Sequence, residues 1–293
     1  MYICNKEIKI IGRVLRIARL DADMYQFMSD PEPVISGLRK SGHRIDLFTF
    51  IQGLTETKPK YQYPVEWDNY AALPISTFDN WWNKQIDGKT RNMVRKAEKK
   101  EVVVREIPFD ENLARGIWRI YNEVPFRQGR KFSHYGKDLE RVYKDEATYL
   151  DSSTFIGAFY GEELIGFVKL VADEARVQAG LMNIVSKIQH RDKAPTNALV
   201  AHAVRSCADR GISYMVYARF DYGKEHGDGL SDFKERNGFQ RIEVPRYYVP
   251  LTAFGWAAFR LGMHHPWVNY FPQPLVEKLR GIRNNWYNRK SNL

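Results

Sequence analysis

Cysteine is nearly absent from this 293-residue chain: Cys4 and Cys207 are the whole complement. Two cysteines cannot build a disulfide framework or a zinc knuckle, and Cys207 sits in an Ala-rich helical stretch, so both are expected to be inert. Long hydrophobic runs are missing too. No apolar stretch approaches the roughly 20 residues that a membrane-spanning helix needs. The opening Met1-Tyr-Ile-Cys-Asn-Lys-Glu7 lacks a basic region followed by an apolar stretch and a cleavage site. No secretory signal is expected, and a cytoplasmic location is. The chain has no P-loop, no Ser/His/Asp arrangement, no solenoid-type repeat and no low-complexity segment. His264 and His265 are adjacent rather than one helical turn apart, so spacing provides no metal site.

What is there describes a globular protein with a basic surface. Hydrophobic residues make up 44% of the chain, enough for one large domain or two modest ones. The net charge of +10 suits a polyanionic partner such as RNA, a nucleotide-linked substrate or an anionic membrane.

Along the chain, Ile8–Leu20 reads as a β-rich run, followed by a helix opened by Pro31-Glu-Pro33 and a strand over Arg44–Ile51. Trp67–Pro74 suggests a short strand and turn. A helix carrying Trp81 and Trp82 follows, then a basic helix from Asn83 to Lys100 that feeds the strand Val102–Ile107. Helical spacing of Leu113, Ile117, Ile120, Tyr121 and Val124 marks Glu111–Val124. In the second half, Thr154–Tyr160 and Leu164–Ala172 form an expected hairpin, and Arg176–Ser186 continues the sheet. A helix over Thr196–Asp209, a strand over Ile212–Phe220, a helix over Leu230–Asn237 closed by Gly238, and a strand over Gln240–Leu251 complete the pattern.

Two motifs carry a resemblance. One is Thr90–Val104 (TRNMVRKAEKKEVVV), a basic helix leading into a valine-rich strand; the other is Asp232–Phe239 (DFKERNGF), with Phe233-Lys234 before Gly238-Phe239. Together with the element order over Thr154–Leu251, they resemble the Fem-type branch of the GNAT-like acyltransferases, the peptidoglycan-bridge aminoacyltransferases and their relatives. The resemblance implies an α/β fold with a GNAT-like mixed sheet: a reduced N-terminal unit in residues 1–88, a fuller transferase unit in 89–252, and a helical extension in 253–293. It also implies direct attack of an acceptor amine or hydroxyl on an activated acyl carbonyl, with no tightly bound cofactor and aminoacyl-tRNA or acyl-CoA as donor substrate. An anionic cell-wall precursor or polysaccharide is the implied acceptor.

Ordinary GNAT enzymes cradle the coenzyme A pyrophosphate with a glycine-rich turn. Here that place reads Arg191-Asp-Lys-Ala-Pro-Thr-Asn-Ala198, with no glycine and with Pro195 removing an N–H. The departure favours aminoacyl-tRNA over acyl-CoA. Where ordinary GNAT enzymes often have a tyrosine that protonates a thiolate, this chain has Lys234, whose ammonium suits an oxyanion. Lys234 is therefore the implied catalytic stabiliser and Phe233 a donor-binding residue; the alternative is a core Phe233 and a solvated Lys234. Asn92, Arg95 and Lys96 are the other donor-side candidates, against a solvated basic helix face.

The loop Pro125–Lys137 interleaves cations with aromatics, which nominates Arg127, Arg130 and Tyr135 for the acceptor, or else as cover for a domain junction. Asp221, Tyr222, Glu225, His226 and Asp228 follow a strand end where ligands commonly bind. Asp221 is the general-base candidate. The aromatic and basic tail 253–293 suits either docking on its own domain or peripheral contact with an anionic membrane. Non-catalytic binding of an anionic glycopolymer or RNA is the alternative function.

Overall fold

The first residues form β1 (Tyr2–Ile3), β2 (Lys6–Ile11) and β3 (Ile17–Leu20). The β-rich run Ile8–Leu20 is thus two strands, because Gly12, at φ +87°, turns the chain so that Ile8 pairs with Leu20 and Ile11 with Ile17. Helix α1 (Glu32–Lys40) carries proline in its first turn, where a missing N–H costs nothing, and buries Val34, Ile35 and Leu38. Strand β4 (Leu47–Ile51) is buried throughout. The short strand expected at Trp67–Pro74 is a ten-residue β5 (Val65–Pro74), ending at the proline that cannot donate to a ladder.

Helix α2 (Phe78–Asn80), capped by the Thr77 hydroxyl, runs into a π-helical turn, Trp81–Gln85. The basic helix does not begin at Asn83. Ile86 is extended, and Asp87 then accepts from the Thr90 N–H to cap α3 (Gly88–Lys99). Next come β6 (Val102–Ile107), α4 (Glu111–Tyr121), β7 (Phe126–Arg127), β8 (Arg130–Lys131) and α5 (Leu139–Glu146), with Asp110 and Asp138 capping the two helices. The second half holds β9 (Ser153–Tyr160), β10 (Glu163–Ala172), β11 (Gln178–Ser186), α6 (Pro195–Asp209), β12 (Tyr214–Arg219), α7 (Gly229–Arg236), β13 (Gln240–Pro250) and α8 (Ala253–Arg260). The computed structural model describes residues 1–127, 130–221 and 229–265. The expected extension from 266 to 293 and the loop candidates Tyr222, Glu225, His226 and Asp228 lie outside the described residues.

The elements group into two compact units that interleave along the chain. Among the described residues, the first unit takes 1–70, 221 and 241–265, and the second takes 71–220 and 229–240. Residues 71–88 thereby join the second unit and 241–252 the first.

In the first unit, β4 pairs parallel with β3 and antiparallel with β13, the latter through Ile51 opposite Arg246 and Leu47 opposite Pro250. Ile8, Leu20, Val34, Leu38, Phe48, Phe50 and Tyr247 build its core. Arg246 of β13 is buried and ties its strand to β4, to β5 and to the turn after β3: its guanidinium meets the Thr49 hydroxyl at 3.2 Å, Asp68, and Asp23 at 2.9 Å. Burial alone would lower its pKa; Tyr70, Asp68 and Asp23 raise it above the ordinary value. Helix α8 docks through Gly255, where a Cβ would stand 1.9 Å from the Asp46 carbonyl, and through buried Ala258. Its Phe254 and Trp256 remain exposed, with the Arg260 guanidinium 4.4 Å from the Trp256 ring centre.

In the second unit, β10 is antiparallel to both β9 and β11, β9 is antiparallel to β6, and β11 is parallel to β12. Gly161, at φ +58°, turns the β9–β10 hairpin. The sheet is apolar on both faces. Ile165, Val168 and Leu170 of β10 pack with α3 and α6 residues such as Val94, Leu199 and Val204, while Phe167 packs with Leu113, Ile117 and Val142 of α4 and α5. Cys207 is buried in α6, and burial pushes its thiol pKa up to about 12, so it stays protonated. No helix among the described residues is long and apolar enough to cross a membrane.

Candidate functional site

In the second unit, the only register between β11 and β12 among the described residues is Gln178–Gly180 opposite Tyr214–Val216. Beyond it, β11 continues to Ser186 along β10, while β12 runs on to Arg219. The two parallel strands therefore part company toward their C-terminal ends, the kind of strand-end opening where α/β sheets take ligands. Ala218, near the end of β12, has φ +47°, a conformation costing a non-glycine residue roughly 1–2 kcal/mol.

Lys234 of α7 is fully buried at this strand end. Its ammonium donates to the Arg219 carbonyl and, at 3.1 Å, to that of Phe220, and it lies 5.2 Å from the Tyr217 ring centre. The solvated alternative for this lysine is therefore excluded. Phe233 is half-buried and packs against the core around Trp81 and Phe239.

The rest of the Asp232–Phe239 motif holds Lys234 in place. The Gly238 N–H donates to the Glu235 carbonyl at 2.9 Å and the Phe239 N–H to that of Lys234 at 3.0 Å, with Gly238 at φ +86°. This is a Schellman cap, which needs a residue at ease in the left-handed region. A Cβ on Gly238 would also come within 3.1 Å of Leu73. Asn237 donates to the Phe233 carbonyl at 2.7 Å and receives the indole N–H of buried Trp81 at 2.9 Å.

The two sequence motifs meet at this cap. The Thr90 hydroxyl at the start of α3 donates to the Arg236 carbonyl at 3.1 Å. Arg91 is spent internally, on the Trp82 and Ile86 carbonyls. Asn92, Arg95 and Lys96 are exposed on α3, with the Arg95 guanidinium 5.7 Å from the Trp82 ring centre.

The acceptor candidates separate. Arg127 is turned inward, its guanidinium donating to the Ser186 carbonyl at 2.6 Å, the Ile120 carbonyl at 3.1 Å and Glu123 at 3.2 Å, and lying 4.5 Å from the Phe132 ring centre. Burial lowers its pKa, with Glu123 opposing. Arg130 contributes backbone to β8, opposite Arg127, and its side chain lies outside the description. Tyr135 projects to solvent. Asp221 belongs to the first unit, where its N–H donates to Asn69 at 2.7 Å and its carboxylate pairs with Arg241 at 3.3 Å.

A second buried lysine escaped the sequence reading. Lys169, in the middle of β10, donates to the carbonyls of Glu146 and Thr148, both at 2.8 Å, and to the Thr148 hydroxyl at 3.0 Å. The Glu146 carboxylate is also buried and accepts from Tyr121 at 2.7 Å and from Asn183 at 3.0 Å. Burial lowers the Lys169 pKa, with Glu146 opposing; burial and Glu146 together push the Tyr121 hydroxyl well above its usual value. One signal was available: a single charge inside Leu164–Ala172, a run without a polar face, needs an internal partner.

No protein-family model and no curated protein sequence matches this chain. Solved structures do. The C-terminal domain (DUF2156) of a candidate lysylphosphatidylglycerol synthetase from Agrobacterium fabrum superposes at a TM-score of 0.56 with 12% identity, over 87% of this chain and 83% of its own. L-PGS from Bacillus licheniformis gives 0.57 and 13%, over 87% and 84%. FemX gives 0.56 and 12%, over 87% and 86%. At these identities the likeness shows the fold alone: the chain has the mixed α/β fold of these structures, the fold that its two motifs imply.

Proposed function

We propose that the protein is an acyltransferase of the aminoacyl type, joining an activated acyl group to an acceptor amine or hydroxyl by direct attack. The observation that carries this reading is the buried Lys234 ammonium, held by the Arg219 and Phe220 carbonyls where β11 and β12 diverge. A fixed cation in a water-poor setting stabilises a tetrahedral oxyanion without reorganising during the reaction. A departing ribose hydroxyl is then replaced by the acceptor with no covalent enzyme intermediate, and the protein contributes positioning and charge.

Aminoacyl-tRNA is the donor we infer. The entry to α6 supports it over acyl-CoA: Ala194 adopts φ +55° before Pro195, and the Asn197 and Ala198 amides already donate to the Ala194 carbonyl. The exposed Asn92, Arg95 and Lys96 of α3 suit phosphate contacts. For the acceptor, an anionic cell-wall precursor fits the basic surface. The similarity to a lysylphosphatidylglycerol synthetase domain adds a lipid headgroup, and the exposed Phe254, Trp256 and Arg260 of α8 suit the surface of an anionic bilayer.

The test is parallel binding of charged tRNA and acyl-CoA to the purified chain, with transfer assays on the wild type and on Lys234→Met. Saturable tRNA binding is expected in both proteins, with transfer lost in the variant. Saturable acyl-CoA binding with none to tRNA would overturn the donor assignment, and full transfer by Lys234→Met would overturn the role of the lysine.

A further inference from the structure

Glu66, His264 and His265 stand apart from everything assigned above, and all three lie in the first unit. Glu66 is the second residue of β5, and the histidines follow the turn that ends α8. His264 Nε2 is 2.9 Å from Glu66 Oε1, and His265 Nε2 is 3.1 Å from the same oxygen. The three ligand atoms lie within 4.8 Å of one another. Adjacent histidines cannot meet one carboxylate from a regular helix; the turn after Arg260 allows it.

The rings are held in this convergent pose. His264 stacks on Phe259 at 4.8 Å between ring centres and packs against Tyr248 at 4.5 Å. The Tyr248 hydroxyl hydrogen-bonds the Glu66 carboxylate, the sort of outer contact that orients a metal ligand.

The two imidazole rings are 4.0 Å apart and both direct Nε2 at one carboxylate oxygen, so a single cation placed among them can take a lone pair from each ring and one from the carboxylate. Ligand bonds of about 2.0–2.2 Å in tetrahedral geometry require ligand atoms about 3.3–3.5 Å apart; the two nitrogen–oxygen distances here, 2.9 and 3.1 Å, are shorter and have to open by a few tenths of an ångström to admit an ion. Two nitrogens and one oxygen suit a borderline ion rather than calcium or magnesium, which take oxygen ligands.

We propose that Glu66, His264 and His265 bind a divalent transition cation of the zinc type, which fastens the chain leaving α8 to β5. His265 and Glu66 are each about one-third exposed (37% and 32% of their side chains), so a fourth position is open to water or an added ligand.

The test uses the full chain, stripped with chelator, dialysed and titrated with zinc by calorimetry and with cobalt(II) by visible absorption. About one equivalent should bind at micromolar metal, with the intense visible band of tetrahedral cobalt. His264 is packed among aromatics, so the informative variants are His265→Ala and Glu66→Gln, each expected to lose at least about tenfold in affinity together with the cobalt band. His43→Ala, an exposed site elsewhere, should bind as the wild type does. Absence of saturable binding by the wild type, or equal binding by His265→Ala, would overturn the proposal.

Discussion

Lys169 and Lys234 are both fully buried in the second unit, and both are met by backbone carbonyls, yet their settings differ. Lys169 sits mid-strand and directs three donors to Glu146 and Thr148, in a network whose carboxylate is itself satisfied by Tyr121 and Asn183. Lys234 sits in the last turn of α7, gripping the chain where β12 ends. The first arrangement ties a strand to the end of α5. The second holds a charge at the place where two parallel strands separate. Burial alone therefore does not single out a candidate catalytic lysine; under the proposed function, position relative to the strand ends does.

The sharpest way to break this contrast is to remove each ammonium while keeping its aliphatic stem. Lys234→Met should lower turnover by about 10²–10³-fold, the range for losing one oxyanion-stabilising group, with a smaller effect on the unfolding midpoint. Lys169→Met should show the reverse pattern: a loss of about 3 kcal/mol in stability, measured by urea unfolding, with turnover of the folded fraction retained. If both variants lose turnover alike, the distinction between the two lysines fails.

Arg127→Ala comes next, expected to lose about 2 kcal/mol in urea unfolding because the Ser186 and Ile120 carbonyls lose their donor. A raised acceptor KM at unchanged stability would instead return Arg127 to the acceptor site. Gly238→Ala should cost about 1 kcal/mol by strain at φ +86°, more if Leu73 cannot give way, and should lower turnover through a misplaced Lys234.

A pH dependence is expected near the Lys169 network as well. His134 stacks on Tyr121 at 4.3 Å, and burial, with help from Lys137, lowers its pKa to about 4. Its folded pKa lies below the unfolded value of 6.5, so the unfolded chain takes up the proton first. Its contribution to stability should be complete above pH 6.5 and decline as pH falls toward about 4. Urea midpoints across that window should fall less steeply for His134→Gln than for the wild type.

Much of the second half was legible because punctuation and patterning agree. Gly161, Gly211 and Gly238 each mark a turn or helix end, and β9, β10, α6, β12, α7 and β13 start and stop within two residues of expectation. The first half was less legible. Gly12 sits inside a continuous β-rich run, and the break at Ile86-Asp87 interrupts a stretch whose composition is helical on both sides.

At the candidate site, the Asp232–Phe239 motif pointed to Lys234, but the meeting of α3 with α7 was not legible, and composition could not tell an inward arginine from an outward one. The partners of Arg127 include Ser186, 59 residues away, and those of Lys169 begin 21 residues away. Such pairings are fixed by tertiary packing rather than by local pattern.

The interleaving of the two units bears on how the chain can be made. Strand β4 finds its antiparallel neighbour only when Arg246–Pro250 arrives, 195 to 203 positions later on the chain. The amino-terminal segment must leave the ribosome and wait, with one edge of its apolar strand β4 unpaired, while nearly the whole second unit is synthesised. The second unit is an insertion that can mature first, so the order of synthesis and the order of folding run in opposite directions.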